Sequence, residues 1–161
     1  MISGTGSRTI AVAFGSNLGD RRGQILAAAG QVARLLARFR LSTLIETAPV
    51  GEGLEHDPPY LNAAGVGESP HPAREIFEAL RAVETAAGRQ RPYPGAPRSL
   101  DLDLILVGDE LLQEPELKIP HPRFRDRLFV LAPLAEIAPE MRDPVTGLTV
   151  LELLAKKKAG A

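Results

Sequence analysis

Apolar and acidic residues alternate with a period of two along Leu100-Asp101-Leu102-Asp103-Leu104, followed by Ile105 and Leu106. That spacing predicts a strand, because successive side chains leave a strand on opposite faces. Thr9 to Phe14 reads as a buried first strand, and Gly15 to Asp20 as a turn into a helix capped by Asp20. Ile25, Ala28, Val32, Leu35, Leu36 and Phe39 recur at three- and four-residue steps, predicting a helix to about Arg40 with Gln31, Arg34 and Arg38 on its wet side. Leu41 to Thr47 returns as a second strand. Tyr60 to Glu68 reads as a third, weakened by Gly65 and Gly67. Pro70 and Pro72 open a second helix over Ala73 to Ala87, with a stripe of Ile76, Phe77, Leu80, Val83 and Ala87 and with Gly88 just past its end.

After the alternating strand, Gly108-Asp109 signals a hairpin before Glu110-Leu111-Leu112. Ile119 to Asp126 is irregular and rich in Pro and Arg, and Arg127 to Ile137 fits a short helix. Thr149 and Glu152 form a capping box for a last helix that ends in Lys156-Lys157-Lys158. Strand, helix, strand, strand, helix, strand is the βαββαβ order of a ferredoxin-like α+β fold. The expected architecture is an antiparallel sheet with helices on one face and the other face available for ligands, plus an extra C-terminal hairpin and helices, in a single domain over residues 1–161. Two stretches carry no regular pattern, Ala48 to Pro59 and Arg89 to Pro97. Loops of that length are usually functional or disordered.

Composition narrows the function. Of 161 residues, 19 are Lys or Arg and 20 are Asp or Glu, so no global field draws the chain to nucleic acid or to an anionic membrane. There is no cysteine, which removes disulfides and thiolate chemistry. The histidines at 56, 71 and 121 lack metalloprotease spacing and argue against zinc. The apolar run Ile10 to Phe14 is too short for a signal core or a membrane span, so a cytoplasmic protein is expected.

The candidate chemistry centres on Asp101 and Asp103. On a strand they project from one face with backbones roughly 6–7 Å apart. Two readings fit: an ordinary strand with one wet face, or a carboxylate pair holding divalent cations about 3.5–4 Å apart for phosphoryl chemistry. Arg89, Arg91 and Arg98 precede the strand, and guanidinium groups suit phosphate oxygens. Exposed loop arginines that only aid solubility are the plainer reading of any one of them. Gly15-Ser16-Asn17-Leu18-Gly19 lacks both the Gly-Lys-Ser/Thr ending of a P-loop and GxGxxG spacing, so a tight turn is the simpler account. His121, between Pro120 and Pro122, is either structural or a ligand contact.

Four segments in register resemble the 6-hydroxymethyl-7,8-dihydropterin pyrophosphokinase family: Phe14 to Gly19, Pro59 to Ala64, Ala96 to Ile105, and Ile119 to Pro122 running on through Arg127 and Phe129. The resemblance implies pyrophosphoryl transfer from ATP to the pterin in folate biosynthesis, with two Mg²⁺ ions on Asp101 and Asp103. It implies Arg89 and Arg91 as catalytic arginines on a closing loop. It places Glu84, Arg89, Arg91, Arg98, Leu104, His121 and Arg127 at the nucleotide, and Thr47, Ala48, Val50, Tyr60, Asn62 and Phe129 at the pterin. Without it, core packing explains Phe129 equally well, and Glu84 could pair with Arg81 or Arg89. The chain departs from family patterns at Pro94, Gly95 and Pro122, which puts the loop's closing contacts in question. Small-molecule substrates, no nucleic acid, no membrane and a monomer are expected. The alternatives are a non-catalytic ferredoxin-like nucleotide- or RNA-binding module, disfavoured by the balanced charge and absent Trp, and a metal-dependent nucleotide hydrolase on the same carboxylates.

Overall fold

The computed structural model describes residues 6–47, 59–88 and 100–160. Its elements run β1 (Arg8–Ser16), α1 (Arg21–Leu35), β2 (Ala37–Leu41), β3 (Ile45–Thr47), β4 (Tyr60–Ser69), α2 (Ala73–Gly88), β5 (Asp101–Val107), β6 (Leu112–Gln113), β7 (Lys118–Ile119), α3 (Leu128–Ile137) and α4 (Val150–Gly160), with one 3₁₀ turn at Phe124–Asp126. The main sheet is antiparallel in the order β2-β4-β1-β5, and β3 also pairs with β4. This is the ferredoxin-like order, with its second strand split into β2 and β3.

Both sheet faces are covered, by different layers. Ile10, Val12 and Phe14 of β1 join Leu100, Leu102 and Leu104 against Ile25 and Val32 of α1 and Ile76 and Leu80 of α2. The intervening residues Ala11, Ala64, Val66, Ile105 and Leu106 pack under Val130, Leu131 and Leu134 of α3 and Val150 and Leu153 of α4. The two core helices thus share one face, as expected. The opposite face is narrower than expected for ligands, because α3 and α4 take much of it and leave open only the end carrying the start of β5.

Three local expectations change. The first helix stops at Leu35 rather than Arg40: Leu36 is extended, Arg38 has φ 52°, and the chain from Ala37 pairs with β4 across an irregularity in register. Phe39, read as helical, reaches the core from this strand and meets Phe14 edge-on at 6.3 Å. Gly65 makes that possible, since a Cβ there would lie 2.6 Å from the Phe39 ring. Gly15 sits inside β1 and not in a turn. The Gly108-Asp109 turn forms, closed by Glu110 N–H to Val107 O at 2.9 Å, but β6 leaves β5 and pairs with β7. The caps follow the sequence. Asp20 accepts from Gly23 N–H at 3.0 Å, and Thr149 and Glu152 satisfy each other's backbone N–H groups at 2.9 and 3.1 Å.

Candidate active site

The register of the sheet puts the candidate residues in two rows on one face. Asn62 of β4, Gly15 of β1 and Asp101 of β5 are direct cross-strand neighbours, and Ala64, Ala13 and Asp103 form the next row. Partners directly opposite in an antiparallel pair project to the same side. Small residues in the middle strand therefore leave a trough between an amide on one side and two carboxylates on the other. Tyr60 and Thr47, themselves paired across β4 and β3, extend the amide wall. The N-terminal end of α3 hangs over the trough and supplies Arg127 and Phe129. The result is a cavity of about 450 Å³ lined by Ala13, Gly15, Thr47, Tyr60, Asn62, Asp101, Asp103, Arg127 and Phe129.

The hydrogen bonds orient this wall. Asn62 is 5% exposed, and its Nδ2 donates to Thr47 Oγ1 at 2.7 Å. Asn62 lines the cavity with its Oδ1 above Gly15, and the amide offers an acceptor and a further donor hydrogen. The Arg127 guanidinium lies 5.6 Å from the Phe129 ring centre and 3.9 Å from Asp103 Oδ2. The Asp103 side chain is 45% exposed, so this ion pair adds little to stability, and its effect is alignment. Phe129 both packs on the core under α3 and lines the cavity, so its two readings coincide.

A second cleft, of about 230 Å³, runs along the outer edge of β5. Phe77, Leu104, Leu117, Lys118 and His121 line it, and so does Asp103. A bulge builds this edge. Val12 faces Leu104 and Ala11 faces Leu106, so Ile105 is the extra residue. The bulge turns Ile105 onto the α3 face beside Leu106, and its carbonyl accepts from His121 N–H at 2.9 Å. The Pro-His-Pro segment is thereby fastened to the strand that carries both aspartates. His121 Nδ1 accepts from the Arg123 backbone N–H at 3.1 Å, so the neutral ring carries its proton on Nε2. Burial lowers the pKa of His121 below the usual histidine value; the Asp103 charge opposes this, and Arg127 and Arg123 add to it. His121 is set up as a neutral donor.

Behind the site, Glu84 Oε2 accepts from Leu102 N–H at 2.7 Å and so anchors the peptide between the two aspartates. Asp143 is fully buried and takes two hydrogen bonds from Arg125, at 2.6 and 2.9 Å, while Arg125 lies 4.9 Å over the Phe124 ring. This fastening holds the turn from which Arg127 projects.

The structure thus gathers Thr47, Tyr60, Asn62, Asp101, Asp103, Arg127 and Phe129 around one cavity and Leu104 and His121 around the adjoining cleft. Glu84 instead reaches the backbone of β5. Ala48, Val50, Arg89, Arg91 and Arg98 lie outside the described residues, as do Pro94 and Gly95. Sequence reasoning missed the floor residues Ala13 and Gly15, although a signal was there: Ala11, Ala13 and Gly15 are small at every second position while Ile10, Val12 and Phe14 are large. It also missed Phe77 and Lys118 of the cleft, which carried no distinguishing pattern. Among the described residues there is no cluster of three or more His, Cys, Asp or Glu. Asp101 and Asp103 line one cavity, and two carboxylates there fit a hard cation such as Mg²⁺, which keeps waters and completes its shell with substrate oxygens. No helix among the described residues is long and apolar enough to cross a membrane.

The family model for 7,8-dihydro-6-hydroxymethylpterin-pyrophosphokinase matches residues 11–139. A 2-amino-4-hydroxy-6-hydroxymethyldihydropteridine pyrophosphokinase from Pseudomonas aeruginosa is 39% identical over 89% of this chain and 88% of its own length. The enzyme of that name from Bacillus subtilis is 37% identical over 84% of this chain and 81% of its own. Among solved structures, the wild-type Plasmodium falciparum HPPK-DHPS with pteroate superposes with a TM-score of 0.70 at 14% identity. That match covers 94% of this chain but only 42% of the longer one, so it supports the fold and nothing of the second half.

Proposed function

The chain belongs to the 7,8-dihydro-6-hydroxymethylpterin-pyrophosphokinase family, so it is an enzyme that moves a pyrophosphoryl group from ATP to 6-hydroxymethyl-7,8-dihydropterin in folate biosynthesis, and we propose how its residues divide that work. The observation that carries the assignment is that Asp103 borders both openings, the aromatic- and amide-walled cavity and the cleft along β5. One carboxylate edge thus faces two ligands that must meet.

The pterin lies in the larger cavity between Tyr60 and Phe129, with its pyrimidine edge read by Asn62 and by the Thr47 segment. By family resemblance Ala48 and Val50 would also contact the pterin. The nucleotide lies along β5, its base against Leu104 and Phe77, with the His121 Nε2–H donating to a phosphate oxygen. Asp101 and Asp103 would hold Mg²⁺, two ions by family resemblance, and the cation would neutralise charge on the triphosphate. The pterin hydroxymethyl oxygen bonds to the β-phosphorus as the bridge to the α-phosphate breaks. AMP leaves, and the hydroxyl proton passes to solvent. The chain's own contribution is positioning and charge: Arg127 from α3, with Arg89, Arg91 and Arg98 by family resemblance, faces the oxygens that gain charge. Glu84 acts from behind by fixing the strand. In this reading the chain acts in the cytoplasm as a monomer on small-molecule substrates.

Two measurements test this. Mixed with MgATP and the hydroxymethyl pterin, the protein should release AMP in step with pterin pyrophosphate. AMP or ADP release that needs no pterin would favour the hydrolase reading. Arg127→Ala should lower kcat by about 100-fold, with a smaller change in either KM. Arg127 makes no side-chain cap to α3, so its truncation should leave thermal stability almost unchanged. Wild-type kcat in that variant would remove Arg127 from the mechanism.

A further inference from the structure

The floor of the pterin cavity contains a glycine that the backbone does not require. Gly15 lies in regular antiparallel strand between β4 and β5, and among the described residues the glycines with positive φ are Gly19, Gly108 and Gly147. Any L-residue could adopt its conformation. The space above it is what is special. A Cβ at Gly15 would stand 3.3 Å from Asn62 Oδ1 and 3.8 Å from Tyr60 Cδ1. The first distance is too tight for ordinary packing. Asn62 cannot easily give way, because it is buried and bonded through Nδ2 to Thr47 Oγ1 at 2.7 Å.

Gly15 also occupies the middle of a row. Asn62 is its partner on one side and Asp101 its partner on the other. Two strand spacings separate those outer residues, about 9–10 Å. That span matches a flat bicyclic ring carrying a one-carbon arm, read at one end by the amide and delivered at the other to the carboxylates. A side chain at the centre would lift such a ligand off the sheet and push it from both ends at once.

We infer that Gly15 is a specificity-determining residue: its missing side chain is the passage through which a single planar ligand reaches from Asn62 to Asp101. This rests on the pyrophosphokinase reading and deepens it. The nucleotide cleft lies on the far side of β5 and does not include Gly15, so the inference concerns the pterin alone. Only the ligand that must cross the row is sensitive to what stands there.

The experiment is Gly15→Ala, with Gly15→Ser as a larger step, assayed beside the wild type. The KM for the hydroxymethyl pterin should rise roughly 10- to 100-fold in the alanine variant and further in the serine variant. The Kd of a non-hydrolysable ATP analogue should stay within about twofold. The melting temperature should stay within a few degrees of the wild type, because alanine suits a strand interior better than glycine and that gain offsets the tight contact with Asn62 Oδ1. An unchanged pterin KM overturns the inference. So does an equal loss of both ligands, and so does a variant that melts early or fails to fold, since the glycine would then be structural. Wild-type protein that makes no AMP from MgATP and the pterin would instead sink the underlying reading, before any variant is compared.

Discussion

Asn in place of Asp101 or of Asp103, one at a time, is expected to lower kcat by roughly 1,000-fold while leaving the unfolding transition nearly where it was. The amide keeps the size of the side chain and one acceptor oxygen, but it removes a full negative charge and turns an N–H₂ donor toward the opening. Cation binding suffers from both changes. The packing of β5 comes from Leu102, Leu104, Ile105, Leu106 and Val107, none more than 6% exposed, so neither carboxylate carries it. The two variants should also differ. Asp103 borders the nucleotide cleft and stands 3.9 Å from Arg127, whereas Asp101 opens only on the larger cavity. Asp103→Asn should therefore raise the KM for ATP as well as lower kcat, and Asp101→Asn should leave that KM closer to wild type. Both should need more magnesium to reach half of their residual rate. Turnover near wild type in either variant, at saturating magnesium, would remove that aspartate from the reaction.

The carboxylate pair was legible in the sequence because one strand encodes it. A period-two pattern says which residues share a face; that the pair holds cations and is not an ordinary wet face came from the nearby arginines and the family resemblance. The cavity around the pair was legible only through resemblance to a family. Its members come from β1, β3, β4, β5 and α3, and no local period reports which strands become neighbours. The first helix shows how a local pattern misleads. Leu36 and Phe39 continue a helical spacing, but Phe39 reaches the core just as well from a strand that crosses Gly65. The second sheet face was read as available for ligands because a βαββαβ order places its helices on one face. Ile105 and Leu106, turned to the same side by the bulge, supply the apolar surface that seats α3 and α4 there. A bulge shifts the phase of the alternation by one residue, and in the apolar run Leu104-Ile105-Leu106-Val107 that shift leaves no mark.

Asp143→Ala should cost about 3–5 kcal/mol of stability, the largest stability loss expected of the substitutions considered for this protein. Asp143 has no exposed side-chain surface and takes two hydrogen bonds from Arg125, one from the Val145 N–H at 3.0 Å and one from Thr146 Oγ1 at 2.7 Å. Truncation leaves a half-buried guanidinium facing apolar surroundings and frees the 143–147 turn. The damage should reach the active site, since Arg125 and Arg127 leave the same short turn and Phe124 between the layers is fully buried. Replacing both partners by apolar residues, as in Arg125→Met with Asp143→Leu, should recover much of the loss, because what costs most is the stranded partner. Acid should act on the same pair. Burial by itself would raise the Asp143 pKa, but the bonds from Arg125, Thr146 and Val145 and the Arg125 charge outweigh it and hold the carboxyl below its usual range. A lowered folded-state pKa contributes stability that is fully present above the unfolded value of about 3.9 and is lost as pH falls through the folded one. The gap in urea midpoint between wild type and Asp143→Ala should therefore be constant from neutral pH down to about 5 and shrink below about 4. A stability loss under about 1 kcal/mol at neutral pH would mean that the pair merely decorates the turn, and that the position of Arg127 is set by the packing of Phe124 instead.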